Sequence, residues 1–212
     1  MKLCDRENMA VLGIFLGVTA LIAALVLSLV SQWTAKPISE AMVRNRERAF
    51  HCLRLPEFDT VGESFEYDGA FFYPVLKDDK IVAFVGQMQR GGYGGEIDVL
   101  VGFTSDGKIT SVQILRHKET PGLGANVCER KFQRTIFNLT EKAPAVPDNR
   151  LLDQFNGKSA AGSGHWQITK DGGEFDYLTG ATVTSRAVTA LVNDISRKFT
   201  DGVLSEAGEG ER

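Results

Sequence analysis

Cysteine and histidine are scarce in this 212-residue chain: Cys4, Cys52 and Cys128 lie far apart with no C-x-x-C pair, and His51, His117 and His165 are equally scattered. That spacing indicates neither a zinc site nor a disulfide framework, and it leaves only a single Cys52–Cys128 bridge open. No metal site is expected. An excess of basic charge is also missing: the net charge is −3, with acidic and basic residues interspersed. This removes the electrostatic footprint that nucleic-acid binding needs. No carboxylate pair or nucleophile–histidine set is recognisable, so no catalytic residue is assigned and independent turnover is not expected. Solenoid periods and low-complexity tracts are absent as well, and the length suits one full domain plus an accessory segment.

What is present begins with residues 9–30, MAVLGIFLGVTALIAALVLSLV. This uncharged apolar run is long enough to cross the hydrocarbon core of a lipid bilayer as a helix. A cleaved signal peptide would have a shorter apolar region followed by small residues, whereas Gln32, Trp33 and Lys36 follow here. The chain then reads as a short leading segment (1–8), a transmembrane helix (9–30), and a stalk helix and linker (31–60), with a polar helix over residues 38–53. Basic residues do not settle the orientation, because Lys2 and Arg6 precede the span while Lys36, Arg44, Arg46 and Arg48 follow it.

Beyond the stalk the pattern alternates. Phe65 and Tyr67, the pair Asp68-Gly69, and then Phe71, Tyr73 and Val75 predict a hairpin. Further strands are expected at 81–89, through Ile97, Val99, Val101 and Phe103, and at 108–115 after the turn Ser105-Asp106-Gly107. Residues 126–137 predict a helix, with Cys128, Phe132 and Ile136 at helical spacing. A Pro-containing loop over 141–150 and a short strand at 166–169 follow. Val188, Leu191, Val192, Ile195 and Phe199 mark one face of a final amphipathic helix, for which Thr184 or Ser185 offers an N-cap. Residues 201–212, rich in Gly and Glu, are expected to be a disordered tail. The fold class is α+β: a mainly antiparallel twisted sheet flanked by helices over 61–200, preceded by one N-terminal transmembrane helix.

Three segments bear on chemistry. Asp176-Tyr177-Leu178-Thr179-Gly180-Ala181-Thr182-Val183-Thr184-Ser185 places small residues and hydroxyls at the start of the last helix. Such a start suits either plain capping or a phosphate drawn to unpaired N–H groups. Gly91-Gly92-Tyr93-Gly94-Gly95-Glu96-Ile97 lacks the lysine and hydroxyl of a P-loop and reads alone as a turn. His117-Lys118-Glu119-Thr120-Pro121-Gly122-Leu123-Gly124 reads alone as a tight Pro-Gly turn.

Taken together and in this order, the segments resemble the FMN-binding domain family of the Rnf and Nqr respiratory complexes. Asp-x-x-Thr-Gly-Ala-Thr resembles the family's flavinylation motif, and Glu-Thr-Pro-Gly-Leu-Gly resembles its flavin loop; the motifs span residues 91–185. The resemblance implies FMN attached through a phosphoester to Thr182. It implies flavin contacts at Glu119, Thr120, Leu123, Gly124, Gly180, Ala181, Thr184 and Ser185, with Leu123 covering a ring face. Glu119 has an alternative role, accepting backbone hydrogen bonds that organise its loop. Asp176 and Thr179 are implied to serve recognition by a magnesium-dependent flavin transferase. The resemblance is closer to RnfG-like than to NqrC-like members. It implies an electron-carrying subunit of an ion-translocating ferredoxin:NAD⁺ oxidoreductase, partnered by other membrane subunits. The anchor would lie in the cytoplasmic (inner) membrane, with residues 1–8 cytoplasmic and the flavin domain on the periplasmic or external side. Other readings are a flavinylated protein of another electron-transfer pathway, NqrC-like or an extracellular reductase, and a non-redox membrane-anchored binding module.

Overall fold

A computed structural model describes residues 3–131 and 146–204. The chain divides into two units, Met1–Asn45 and Arg46–Arg212. Helix α1, Leu3–His51, runs across that boundary. Within the first unit every large apolar side chain from Met9 to Val30 is at least half exposed. A helix that is apolar on all sides has no water-facing stripe and suits hydrocarbon surroundings, and residues 9–30 cover about 33 Å at ~1.5 Å per residue. By length and composition the helix is able to cross a membrane.

The sequence predicts a span and a separate stalk helix at 38–53; α1 instead continues through Pro37. Proline removes one backbone donor. No second proline and no glycine occurs between Pro37 and His51 to end the helix. The hydroxyls of Thr34 and Ser39 donate to Val30 O (2.9 Å) and Lys36 O (2.8 Å) on either side of it.

The second unit is built on strands β1 (Thr60–Val61), β2 (Phe65–Tyr67), β3 (Ala70–Lys77), β4 (Lys80–Gly91), β5 (Glu96–Thr104) and β6 (Ile109–Arg116). All pairings are antiparallel; β1 and β2 both pair with β3, and β4, β5 and β6 follow in order. Asp68-Gly69 makes the expected two-residue turn, with φ of 48° and 77° and Tyr67 opposite Ala70. A second such turn, Asp78-Asp79, has φ of 50° and 58° without glycine. Aspartate tolerates this left-handed region better than most residues, which lets two strands reverse as tightly here as at Asp68.

After β6 come the short helices α2 (Gly124–Cys128) and α3 (Arg150–Asp153), 3-10 turns at Ala160–His165 and Thr169–Asp171, and the long helix α4 (Thr182–Lys198). Helix α4 lays Val188, Leu191, Val192 and Ile195 onto one sheet face, against Ile97, Val99, Val101 and Phe103. Each side chain buried this fully contributes about 1.5–3 kcal/mol. On β3 the residues facing this core are Ala70 and Phe72, whereas Phe71 is 43% exposed. The opposite sheet face carries a second cluster, in which Phe50 and Leu53 pack with Val75, Ala83, Val85 and Leu100. Strand β5 is thereby buried on both faces.

Three expectations are corrected. Of the helix expected over 126–137, the part among the described residues ends at Cys128, in α2, and Glu129 is already extended. Asn149 Nδ2 donates to the carbonyls of Asn126 (3.3 Å), Val127 (3.2 Å) and Glu129 (2.9 Å). Arg130 turns inward to Asp153, Val112 O and Gln113. The carbonyls are thus capped from a distant segment, and the next side chain is committed elsewhere; residues 132–137, like 141–145 of the Pro-containing loop, lie outside the described residues. The strand expected at 166–169 is a single bridge, Ile168 to Phe175, because a 3-10 turn begins at Thr169. The tail expected from 201 is folded as far as Leu204, in a π-helical turn Phe199–Leu204 that buries Gly202 and Val203. Phe199 stacks on Phe103 at 4.3 Å and meets Phe72 and Phe84, which fixes the chain there. Residues 205–212 lie outside the described residues. The open question of a Cys52–Cys128 bridge is answered, since both thiols are free.

Candidate functional site

The three segments singled out in the sequence meet at one carboxylate. Glu119 is 5% exposed. Its Oε1 accepts from Tyr93 N (2.8 Å) and Gly94 N (3.2 Å), in the β4–β5 turn. Its Oε2 accepts from Thr184 Oγ1 (2.8 Å), in the first turn of α4. A buried carboxylate survives when its lone pairs are taken up, and three donors from two distant segments do so here. The glycines explain the close approach. A Cβ at Gly92 would fall on Glu119 Oε1, one at Gly124 on Glu119 Oε2, and one at Gly94 on Lys118 O. Glu119 accepts backbone hydrogen bonds, but from the β4–β5 turn and not from its own loop.

Beside this junction lies a cavity of about 460 Å³. Its lining is buried at Glu119, Gly124 and Thr184 and exposed at Tyr93 (73%), Leu123 (47%) and Val183 (47%). Thr120, Lys170, Gly180, Ala181 and Thr182 complete it. Leu123 is therefore a surface residue of the cavity rather than core filling beneath the turn. Thr120 is exposed, and its carbonyl accepts from Leu123 N (3.2 Å) and Ala125 N (3.1 Å), which closes the loop into α2.

Thr182 is the first residue of α4 and is half-buried. Among the described residues its hydroxyl has no hydrogen-bond partner. The first bond of the helix runs from Ser185 N to Ala181 O (2.9 Å), and Ala181, at the N-cap, supplies no side-chain cap. The amides of Thr182, Val183 and Thr184 are thus left without a partner among the described residues, at the positive end of a 17-residue helix dipole. The expected caps do other work. Thr184 is 1% exposed and spends its hydroxyl on Glu119. Ser185 donates to Ala181 O (3.0 Å), accepts from Leu178 N (3.2 Å), and does not line the cavity. Their hydroxyls hold the turn and the junction together. That turn also needs Gly180, whose φ is 89°.

Asp176 and Thr179 lie outside the cavity lining. Gln154 clamps the Asp176 backbone, accepting from its N (2.7 Å) and donating to its O (3.2 Å), while the Asp176 carboxylate pairs with Arg150. Thr179 is exposed. Lys170 and Val183 line the cavity although no motif marks them as contacts. Val183 adjoins Thr182 and is findable from helical geometry; Lys170 has no sequence signal. Trp166 packs with Phe155 and Phe175 in an aromatic group of the core.

Residues 92–196 match the family model described as the FMN-binding domain. The G subunit of the ion-translocating oxidoreductase complex from Pseudomonas aeruginosa is 32% identical over 215 residues, covering 94% of this chain and 92% of its own. The corresponding protein of Cereibacter sphaeroides is 30% identical over 203 residues, covering 89% and 83%. A solved structure, the C subunit of the Na(+)-translocating NADH-quinone reductase from Parabacteroides distasonis, matches 62% of this chain and 61% of its own, at 18% identity and a TM-score of 0.44. With its three motifs meeting at Glu119, and a full-length relative matched over nearly its whole length, the chain belongs to the G-subunit family of ion-translocating oxidoreductase complexes.

Proposed function

We propose that this chain is the electron-carrying subunit of an Rnf-type ion-translocating ferredoxin:NAD⁺ oxidoreductase, with FMN bound covalently through a phosphoester to Thr182. The observation that carries the attachment point is the Thr182 hydroxyl, which lacks a partner among the described residues at the uncapped start of α4, on a cavity inside the FMN-binding match. The residues present fit the group. A helix N-terminus favours a phosphate, and about 460 Å³ lies in the range of cofactor-sized pockets. Leu123, Val183 and Tyr93 supply apolar surface for a ring system. Bound FMN would supply one- and two-electron transfer.

The chain's own residues bind and orient. Thr182 Oγ would form the P–O bond to the FMN half of FAD, giving its proton to a base of the transferase, with AMP leaving on the electrons of the broken P–O bond. Asp176 and Thr179, outside the cavity, serve recognition by the magnesium-dependent transferase, for which Asp176 would exchange its Arg150 partner. Leu123 covers the ring, and Gly180 and Ala181 keep the backbone approachable. Other membrane subunits of the complex are the electron partners. The α+β unit lies on the periplasmic or external side of the cytoplasmic (inner) membrane, where a tether prevents cofactor loss, and residues 1–8 are cytoplasmic.

Thr182→Ala tests the assignment: the full chain should remain folded and lose both the flavin mass increment and the ultraviolet fluorescence of its denatured band. A flavin increment that persists, or peptide mapping that places it on Thr184, overturns the attachment point. External protease on intact cells should digest the unit after Trp33; its protection would reverse the topology.

A further inference from the structure

Among the described residues, Lys170 is the one cationic side chain that lines the cavity. It occupies the middle of the 3-10 turn Thr169–Asp171, whose backbone is tied down on several sides. Thr169 N donates to Phe175 O (2.8 Å), Gly172 N to Thr169 O (3.1 Å) and Gly173 N to Ile168 O (3.1 Å). Gly172 takes a φ of 86°, and a Cβ at Gly173 would fall on Gln167 O. The turn therefore holds the Lys170 backbone in one place at the edge of the cavity.

Lys170 also forms no ion pair among the described residues, although, after the Arg186 hydrogen bond, its charge helps to hold the Asp171 carboxyl below its ordinary pKa. Its neighbour Asp171 is fully engaged by Arg186, which donates Nε to Oδ2 (2.6 Å) and Nη2 to Oδ1 (2.7 Å). Glu119, the carboxylate that lines the same cavity, is occupied by Tyr93, Gly94 and Thr184. Among the described residues no carboxylate forms an ion pair with Lys170; its ammonium lies 6.0 Å from the Tyr177 ring centroid. A cation in a cavity whose nearby acids are all taken will draw an anion from solution or from a ligand.

We infer that Lys170 is a positioning residue for the flavin phosphate, and that through it the cavity selects a phosphorylated flavin over riboflavin. This rests on the reading of Thr182 as the attachment point, because Lys170 lines the same cavity as Thr182, Val183 and Thr184 at the start of α4. Lysine suits this role, since a compact ammonium on a flexible stem reaches an ester oxygen whose position is already fixed by a covalent bond. Before attachment the same contact would hold the phosphorus against Thr182 Oγ.

The test uses the full chain, solubilised in detergent and produced without flavin transferase so that Thr182 is unmodified. Binding of FMN and of riboflavin is followed by quenching of flavin fluorescence. Wild type should prefer FMN by on the order of tenfold, the worth of one charge-assisted hydrogen bond. Lys170→Met should cut that preference severalfold, to what the α4 amides supply, and Lys170→Arg should restore most of it. The double variant Asp171→Asn with Arg186→Gln, which removes charges already paired, should keep the preference. A wild-type chain that does not prefer FMN overturns the inference. So does an unchanged preference in Lys170→Met, or an equal loss in the double variant. Mass analysis of the transferase-treated wild type separates the two claims. An unmodified Thr182 defeats the attachment point alone, whereas a modified Thr182 with no effect of Lys170 defeats only the role of the lysine.

Discussion

Thr184 donates its hydroxyl to Glu119 Oε2 at 2.8 Å and joins segments 65 residues apart in the chain. Both groups are buried, at 1% and 5% exposure. The bond ties the start of α4 to the loop after β6, and the same carboxylate ties both to the β4–β5 turn. Removing the hydroxyl leaves a buried carboxylate oxygen without its partner. Thr184→Val should therefore lower unfolding free energy by about 2 kcal/mol. Chemical denaturation measures this, and a loss under about 0.5 kcal/mol would mean that solvent or another donor replaces the hydroxyl.

Gly124 tests the same junction from the packing side. An added methyl would fall on Glu119 Oε2, with Thr184 Oγ1 at 2.8 Å and Glu119 Cβ at 2.9 Å. Gly124→Ala should cost about 1–3 kcal/mol by overpacking. Gly91→Ala is the control, because nothing lies within 4 Å of a Cβ there. Equal stability of the two variants in thermal melts would refute the crowding argument.

Leu123 separates the site from the core. At 47% exposure it supports little packing, so Leu123→Glu should change stability by no more than about 0.5 kcal/mol. If the side chain covers the flavin ring, the same variant should keep FMN on Thr182 yet alter flavin absorption and raise its accessibility to quenchers. Unchanged quenching in the folded, flavinylated variant would defeat the contact.

Asp98 carries a pH dependence of opposite sense to the usual carboxylate. Burial raises its pKa above the ordinary value of 3.8, against the hydrogen bond from Gln87. Gln87 Nε2 reaches both carboxylate oxygens, at 3.0 and 3.1 Å, and Gln87 Oε1 accepts from Tyr73 OH at 3.1 Å. A carboxyl whose folded-state pKa is raised adds stability that is fully present below the unfolded value and lost as pH rises through the folded one. At neutral pH the buried charge therefore weighs against the fold. Asp98→Asn keeps an oxygen for Gln87, so it should raise Tm at neutral pH and lose that advantage below about 3.8. A lower Tm at neutral pH would show that the charge is compensated in place.

The parts legible in the sequence are those set by near neighbours. The spacing of Val188, Leu191, Val192 and Ile195 defines α4 because burial follows a helical period. Asp68-Gly69 gives its turn because two adjacent residues decide it. Asp78-Asp79 makes an equivalent turn that no dipeptide rule marks. The end of α2 is hidden from the sequence because its carbonyls are capped by Asn149, twenty or more residues away. Thr184 and Ser185 look like caps because both are hydroxyls near a helix start; only the fold reveals that one reaches Glu119 and the other Ala181. Lys170 belongs to the cavity through the path of a 3-10 turn, which leaves no trace in composition or periodicity.

The far end of α4 is pinned. Phe199 is wedged among Phe72, Phe84 and Phe103, and Lys198 reaches the Asp68 carboxylate at 2.6 Å. Seventeen residues at ~1.5 Å each make a strut of about 25 Å from that anchorage to Thr182. A helix clamped at one end and packed along its length moves little at the other. Electron tunnelling falls steeply with separation, so a carrier hung from Thr182 would inherit its working distance from phenylalanines at the opposite end of the helix. Loosening Phe199 would blur that distance without touching the cavity.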